Sequence, residues 1–124
     1  MFRIRFHGRG GQGIKTSSRI LGTAFFREGF EVQDAPVYGA ERRGAPMFAA
    51  VRAARVPIQE RGLVTRPDLV IVADESLITA PTVNVLLGLS AHTVMLINSA
   101  ESAVLWKERL KLAGPVVTLP ASEE

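Results

Sequence analysis

Cysteine is absent from the 124 residues, which excludes disulfides, thiolate nucleophiles and cysteine-ligated zinc or iron–sulfur centres in this chain. Histidine occurs only as His7 and His92, too thin a set for a histidine-based metal site. No apolar run reaches the roughly 18 residues that cross a bilayer. Met1 leads directly into a strand-like segment in place of a signal peptide. These absences set the expectation of a soluble, cytoplasmic protein with no membrane contact. Aromatic residues make up 6% of the chain. Neither the aromatic interleaving nor the recognition-helix pattern of a nucleic-acid surface is present, so nucleic acid is not an expected partner.

What the chain does have is material for one core. Hydrophobic residues make up 47% and charged residues 22%, which suits one folded domain and is too short for separate cofactor and substrate domains. The net charge of +3 is unevenly placed. Residues 1–66 hold eleven Arg and one Lys against five acids, and residues 67–124 hold three basic residues against seven acids. That polarity fits either an anionic ligand or acidic neighbour on one side, or an ordinary solvated surface.

Periodicity supplies the elements. Phe2 to Phe6 alternates apolar and basic residues and reads as a strand. Glycines then interrupt it, and Ile14, Ser17, Ser18, Leu21, Ala24 and Phe25 fall on one helical face. Gly29 offers a left-handed stop, and Phe30 to Gln33 reads as a second strand closed by Asp34 and Pro36. Met47 to Ala54 is a third strand, with Val56 to Ile58 able to pair back on it and Pro57 pointing to an edge position. Asp68 to Ala73 is a continuous apolar strand of the kind covered on both faces. A helix is expected around Ser76 to Leu89, then a buried strand over Thr93–Ile97, an amphipathic helix over Ser102–Leu112 and a last strand over Pro115–Leu119. Such alternation implies an α/β fold, Rossmann-like and three-layered α/β/α, with a mostly parallel sheet and room for an antiparallel edge hairpin.

Ligands in such sheets sit beyond the strand C-termini, which draws attention to two loops. Gly8, Gly10 and Gly13 satisfy G-x-G-x-x-G between a strand and a helix. Backbone N–H groups free of neighbouring Cβ atoms can approach an anion there, aided by the helix N-terminus, Arg9 and Lys15. Asp34, 21 residues after Gly13, stands near where a ribose-binding acid is expected. Gly11 and Gln12 make the loop more open than the dinucleotide fingerprint requires, and a glycine turn also serves simply to pack a helix on a sheet. The second loop runs from Tyr38 to Pro46. Its Arg42 and Arg43 can grip phosphate or carboxylate in bidentate fashion with Glu41 positioning one of them, or the loop is a surface turn with an internal ion pair. His7 is expected to bond a backbone group, Asp74, Glu75, Asn98 and Ser99 to cap helices, and Trp106 to sit in core or interface.

Gly8-Arg9-Gly10-Gly11-Gln12-Gly13 after a strand, followed by Tyr38-Gly39-x-Glu41-x-Arg43-Gly44, resembles the gamma subunit or domain of 2-oxoacid:ferredoxin oxidoreductases, such as pyruvate:ferredoxin oxidoreductase. Pro67-Asp68 and Asn98-Ser99 are similar to that pattern as well. The resemblance implies one gamma-type domain over residues 1–124, shortened at its C-terminus. It implies an accessory, non-catalytic subunit of an enzyme that decarboxylates a 2-oxo acid oxidatively, makes an acyl-CoA and reduces ferredoxin. Thiamine diphosphate and iron–sulfur clusters then belong to alpha, beta and delta partner chains, with coenzyme A at a shared site and no cofactor held by this chain alone. Gly8, Arg9, Gly10, Gly11, Gln12, Gly13, Arg42, Arg43 and Gly44 are the implied binding positions. A stand-alone Rossmann-type nucleotide-binding module and a purely structural assembly domain are the competing readings, and a homodimer in isolation is a further expectation.

Overall fold

Alternation of apolar and basic residues gives the first strand two chemically distinct faces. In the computed structural model, which describes residues 1–35, 45–80 and 83–121, it forms β1, Phe2–Arg9. The glycine turn leads into helix α1, Ile14–Arg27, and then come β2, Glu31–Ala35, and β3, Pro46–Ala54. A parallel series follows: β4, Leu69–Val72, a short 3-10 turn at Glu75–Leu77, β5, Val94–Asn98, helix α2, Ala103–Leu110, and β6, Val116–Leu119. The six strands form one sheet in the order β2-β3-β1-β4-β5-β6. β1, β4, β5 and β6 run parallel, and β3 runs antiparallel to both of its neighbours.

The antiparallel pair is placed differently from the expectation. β3 does not form an edge hairpin with residues 56–58, which are not strand; it lies between β2 and β1. β2 extends through Asp34 to Ala35 and forms the edge. The expected helix over 76–89 is not found among the described residues either. Only the 3-10 turn forms, followed by turns with Asn84 and Gly88 at positive φ. The latter position demands glycine, because a Cβ on Gly88 would collide with the Thr65 carbonyl.

The two sheet faces are covered by different means. Ile4, Phe6, Ala49 and Val51 pack under α1 through Ile14, with Leu21 and Phe25 half-buried beside them. Ser17 and Ala24, expected on that face, are exposed, and Ser18 and Gly22 take the contact. On the other face Val70, Val72, Met95 and Ile97 pack against Leu77, Ile78, Val85 and Trp106. Each such side chain stabilises the fold by roughly 1.5–3 kcal/mol. Trp106 is core, and its indole N–H donates to Ser99 Oγ at 3.0 Å.

That second face also carries the basic positions of β1. Arg5 is buried and donates to the carbonyls of Val64, Val85 and Leu87 and to Nε2 of His7. Arg52 is 1% exposed and donates to Glu60, to Gln33 Oε1 and to the Gly62 carbonyl. Arg3 completes the set through a two-pronged pair with Glu60 at 2.9 and 2.7 Å. Three arginines of the basic half thus hold residues 60–64 and 85–87 against the sheet, satisfying carbonyls that no ladder reaches.

Candidate functional site

Parallel strands deliver their C-termini to one rim, and four connections gather there: the glycine loop after β1, Asp74 after β4, Ser99 after β5 and Pro120 after β6. Between them lies an open cavity of about 320 Å³, bordered by Gln12, Asp74, Glu75, Asn98, Ser99 and Pro120. That volume is at the small end of the range for ligand pockets.

The glycine loop is ordered by its own contacts. The Gly10 N–H donates to the Ala45 carbonyl at 2.8 Å, and the Gln12 N–H to the Arg9 carbonyl at 3.1 Å. Gln12 folds back so that its Oε1 accepts the Arg9 N–H at 2.7 Å. A side-chain amide therefore takes an N–H group that would otherwise be open to a ligand oxygen. Gly8 has a packing role, since a Cβ there would approach Ile14 Cδ1 to 2.5 Å. Gly11 and Gly13 occupy left-handed conformations with φ of 92° and 75°. Gly13 is the N-cap of α1; it offers no side-chain cap, and the first turn holds no acid. The leading amides of the helix thus face no competing carboxylate of their own, while Lys15 stands in the first turn.

Arg9 reaches across the rim. Its Nε pairs with Asp74 Oδ2 at 3.0 Å and its Nη2 donates to Ser76 Oγ at 2.9 Å. Ser76 in turn donates its hydroxyl and its N–H to Asp74 Oδ1. The Ser76 bonds, and then Arg9, hold the Asp74 carboxyl below its ordinary range. Asp74 does cap the 3-10 turn, as expected, but its pairing with Arg9 was missed. The available signal was an acid directly after a buried parallel strand, where such sheets bind ligands.

Three other expectations change. Asp34 is level with Val51 and, through it, with Ile4, so it lies two strands away from β1 and five residues below Arg9. At about 4.8 Å per strand and 3.3 Å per residue, it is too distant to serve a ribose at the glycine loop. His7 bonds no backbone group through its ring: Nε2 accepts from Arg5 Nε at 2.9 Å, and Nδ1 is buried without a partner. Burial, then the Arg5 charge, push its pKa down to about 4. Asn98 and Ser99 do not cap α2, which is capped by Ser102; Asn98 instead ties Ala73 to Ala121.

The structure brings Gly8, Arg9, Gly10, Gly11, Gln12 and Gly13 to the rim beside Asp74 and Ser76. Arg42, Arg43 and Gly44 lie outside the described residues. Among the described residues no group of three or more His, Asp or Glu could hold a metal ion. No helix among them is long and apolar enough to cross a membrane.

Comparison with known proteins places this geometry. Residues 3–123 match the pyruvate ferredoxin/flavodoxin oxidoreductase family. The common gamma subunit of the pyruvate/ketoisovalerate oxidoreductases of Thermococcus kodakarensis is 44% identical over 111 residues, 90% of this chain and 59% of that one. Pyruvate synthase subunit PorC of Methanothermobacter marburgensis is 47% identical over 100 residues, covering 81% of this chain and 55% of its own. The crystal structure of the pyruvate oxidoreductase subunit PORC of Thermotoga maritima superposes with a TM-score of 0.81 at 34% identity, covering 98% of this chain and 63% of that chain. The chain thus spans about three-fifths of the length of these relatives. The family match over residues 3–123, together with relatives 44% and 47% identical, shows that the chain belongs to the pyruvate ferredoxin/flavodoxin oxidoreductase family.

Proposed function

We propose that this chain acts as the gamma-type subunit of a 2-oxoacid:ferredoxin oxidoreductase, contributing to coenzyme A binding and to assembly without carrying the redox chemistry. The enzyme would oxidatively decarboxylate a 2-oxo acid such as pyruvate, form the acyl-CoA and pass electrons to ferredoxin. Alpha, beta and delta-type partners would hold thiamine diphosphate and iron–sulfur clusters. Zero cysteines support that division, because cluster ligation needs thiolates.

The observation that carries the coenzyme A reading is the acid-free first turn of α1, opening behind Gly13 onto the rim. Its amides and Lys15 suit a pyrophosphate, and the reading adds Arg42 and Arg43 from the sequence as further positive charge. Arg9 contributes less directly, since Asp74 already neutralises it.

The reading of the chain as a stand-alone Rossmann module has lost its main support, because β3 separates Asp34 from the glycine loop. Calorimetry separates the two. Coenzyme A should bind the chain measurably and more tightly than its 3′-dephospho form, with Lys15→Ala weakening it about tenfold, while NAD and FAD give no saturable heat. Saturable NAD binding with no response to coenzyme A would overturn the proposal.

A further inference from the structure

Gln12 bonds both main-chain groups of Arg9. Its N–H donates to the Arg9 carbonyl at 3.1 Å, and its side-chain Oε1 accepts the Arg9 N–H at 2.7 Å. The reversal between the two residues is made at Gly11, whose φ of 92° suits glycine. Gly8 adjoins the carboxamide: a Cβ there would stand 3.1 Å from Oε1, so a bare glycine leaves the amide oxygen its seat. The other end of the amide is held more loosely, Nε2 donating to Asp74 Oδ2 across 3.4 Å. Gln12 itself is exposed and borders the rim cavity.

An oxygen seated on a main-chain N–H of a glycine loop takes the place that a phosphoryl oxygen takes in an anion site of this kind. One N–H serves one strong acceptor, so the two occupants exclude each other. Leaving costs the side chain little, because water can replace its bonds at an exposed position and neither core cluster includes it.

We propose that the Gln12 carboxamide is a built-in competitor of the anionic ligand, closing the glycine loop over the Arg9 N–H until a phosphoryl oxygen displaces it into solvent. The inference rests on the coenzyme A reading and deepens it, since Gln12 changes from a binding position into a gate. Observed affinity is then the intrinsic one reduced by the fraction of loops that stand open. The sign of a substitution decides the matter: truncating a ligand contact weakens binding, whereas truncating a competitor tightens it.

The test is calorimetry on the whole chain at low salt, with inorganic pyrophosphate and coenzyme A as separate probes. Gln12→Ala and Gln12→Asn, the second keeping an amide on a side chain one methylene shorter, should each tighten both probes about two- to tenfold, the net worth of one hydrogen bond. Hydrogen exchange at the Arg9 N–H, followed by NMR, gives a readout without ligand. It should quicken about tenfold in Gln12→Ala and slow again when pyrophosphate is added. Weaker binding by both variants would make Gln12 a ligand contact and overturn the inference. Unchanged affinity would overturn it too, while leaving the coenzyme A reading in place. Tightening confined to inorganic pyrophosphate would uphold the gate and assign the loop to free phosphates instead of coenzyme A. Should neither probe give saturable heat with any of the three proteins, the gate and the coenzyme A reading fall together.

Discussion

Arg5 donates its Nε–H to Nε2 of His7 at 2.9 Å, both side chains being buried on the face of the sheet opposite α1. A histidine that accepts from a guanidinium must be neutral at that nitrogen, so its proton resides on Nδ1. Protonation would set a second cation against Arg5 in a site closed to water.

Stability should therefore depend on pH below the ordinary histidine range. The folded-state pKa is held near 4 against 6.5 in the free side chain, so the unfolded chain takes up the proton first. Between about pH 6.5 and 4 the fold should lose on the order of 3 kcal/mol, with little dependence from this group above that window. Urea unfolding at stepped pH values checks this, and His7→Gln should flatten the slope by retaining an acceptor for Arg5 with no titration.

A second, lower window belongs to Glu60. Arg3, through its hydrogen bonds, and then Arg52 hold its carboxyl down to about 2 from 4.5. The stability this contributes is present above pH 4.5 and is lost as pH falls toward 2. Glu60→Gln should remove the part of the acid transition seen by circular dichroism below pH 4.5, leaving the histidine window untouched.

Gly13 and Gly88 have nearly equal φ, 75° and 74°, yet alanine should affect them differently. Around Gly13 a Cβ meets nothing within 4 Å, whereas at Gly88 it runs into the Thr65 backbone. Gly13→Ala should cost about 1 kcal/mol from backbone strain alone. Gly88→Ala should cost well above 3 kcal/mol or prevent accumulation of folded protein. Chemical denaturation of the two variants gives the comparison.

The Arg9–Asp74 pair is part-exposed and should add less than about 1 kcal/mol to stability. Its effect should appear in ligand affinity instead. Asp74→Asn should release Arg9 and tighten coenzyme A several-fold at low salt, Arg9→Ala should not, and the difference should fade as ionic strength rises. Calorimetry at two salt concentrations reads this out.

Much of the fold was legible because buried parallel strands announce themselves: Val70 to Val72 and Met95 to Ile97 have no competing interpretation as surface. The glycine turn, the α1 stop at Gly29 and the placement of Trp106 in core or interface also followed from local chemistry. Strand order was not legible, because period-two patterning says that β3 has two faces and not which strands it lies between. The same limit hid the arginines. Alternation in β1 assigns Arg3 and Arg5 to one side, but whether that side meets water depends on residues 60–64 and 85–87, whose apolar content is too irregular to declare a layer. The helix expected at 76–89 stops after the 3-10 turn among the described residues, because the chain turns at Asn84 and Gly88, both at positive φ and incompatible with a continuous helix. At the rim, the glycine loop was found by spacing. The Gln12 and Asp74 contacts that close it depend on side-chain reach across 62 and 65 residues of sequence.

β1 precedes both of its sheet neighbours in the sequence and lies in the interior of the sheet. Its two neighbours begin at Pro46 and Leu69, so synthesis must proceed past Val72 before Phe2–Arg9 is flanked on both sides. Until then its apolar side chains have only α1 to lean on. Closing such distant pairings is slow and leaves a sticky strand exposed during synthesis, so yield in a heterologous host should rise when translation is slowed by cooling or when a chaperone that shields extended segments is co-expressed.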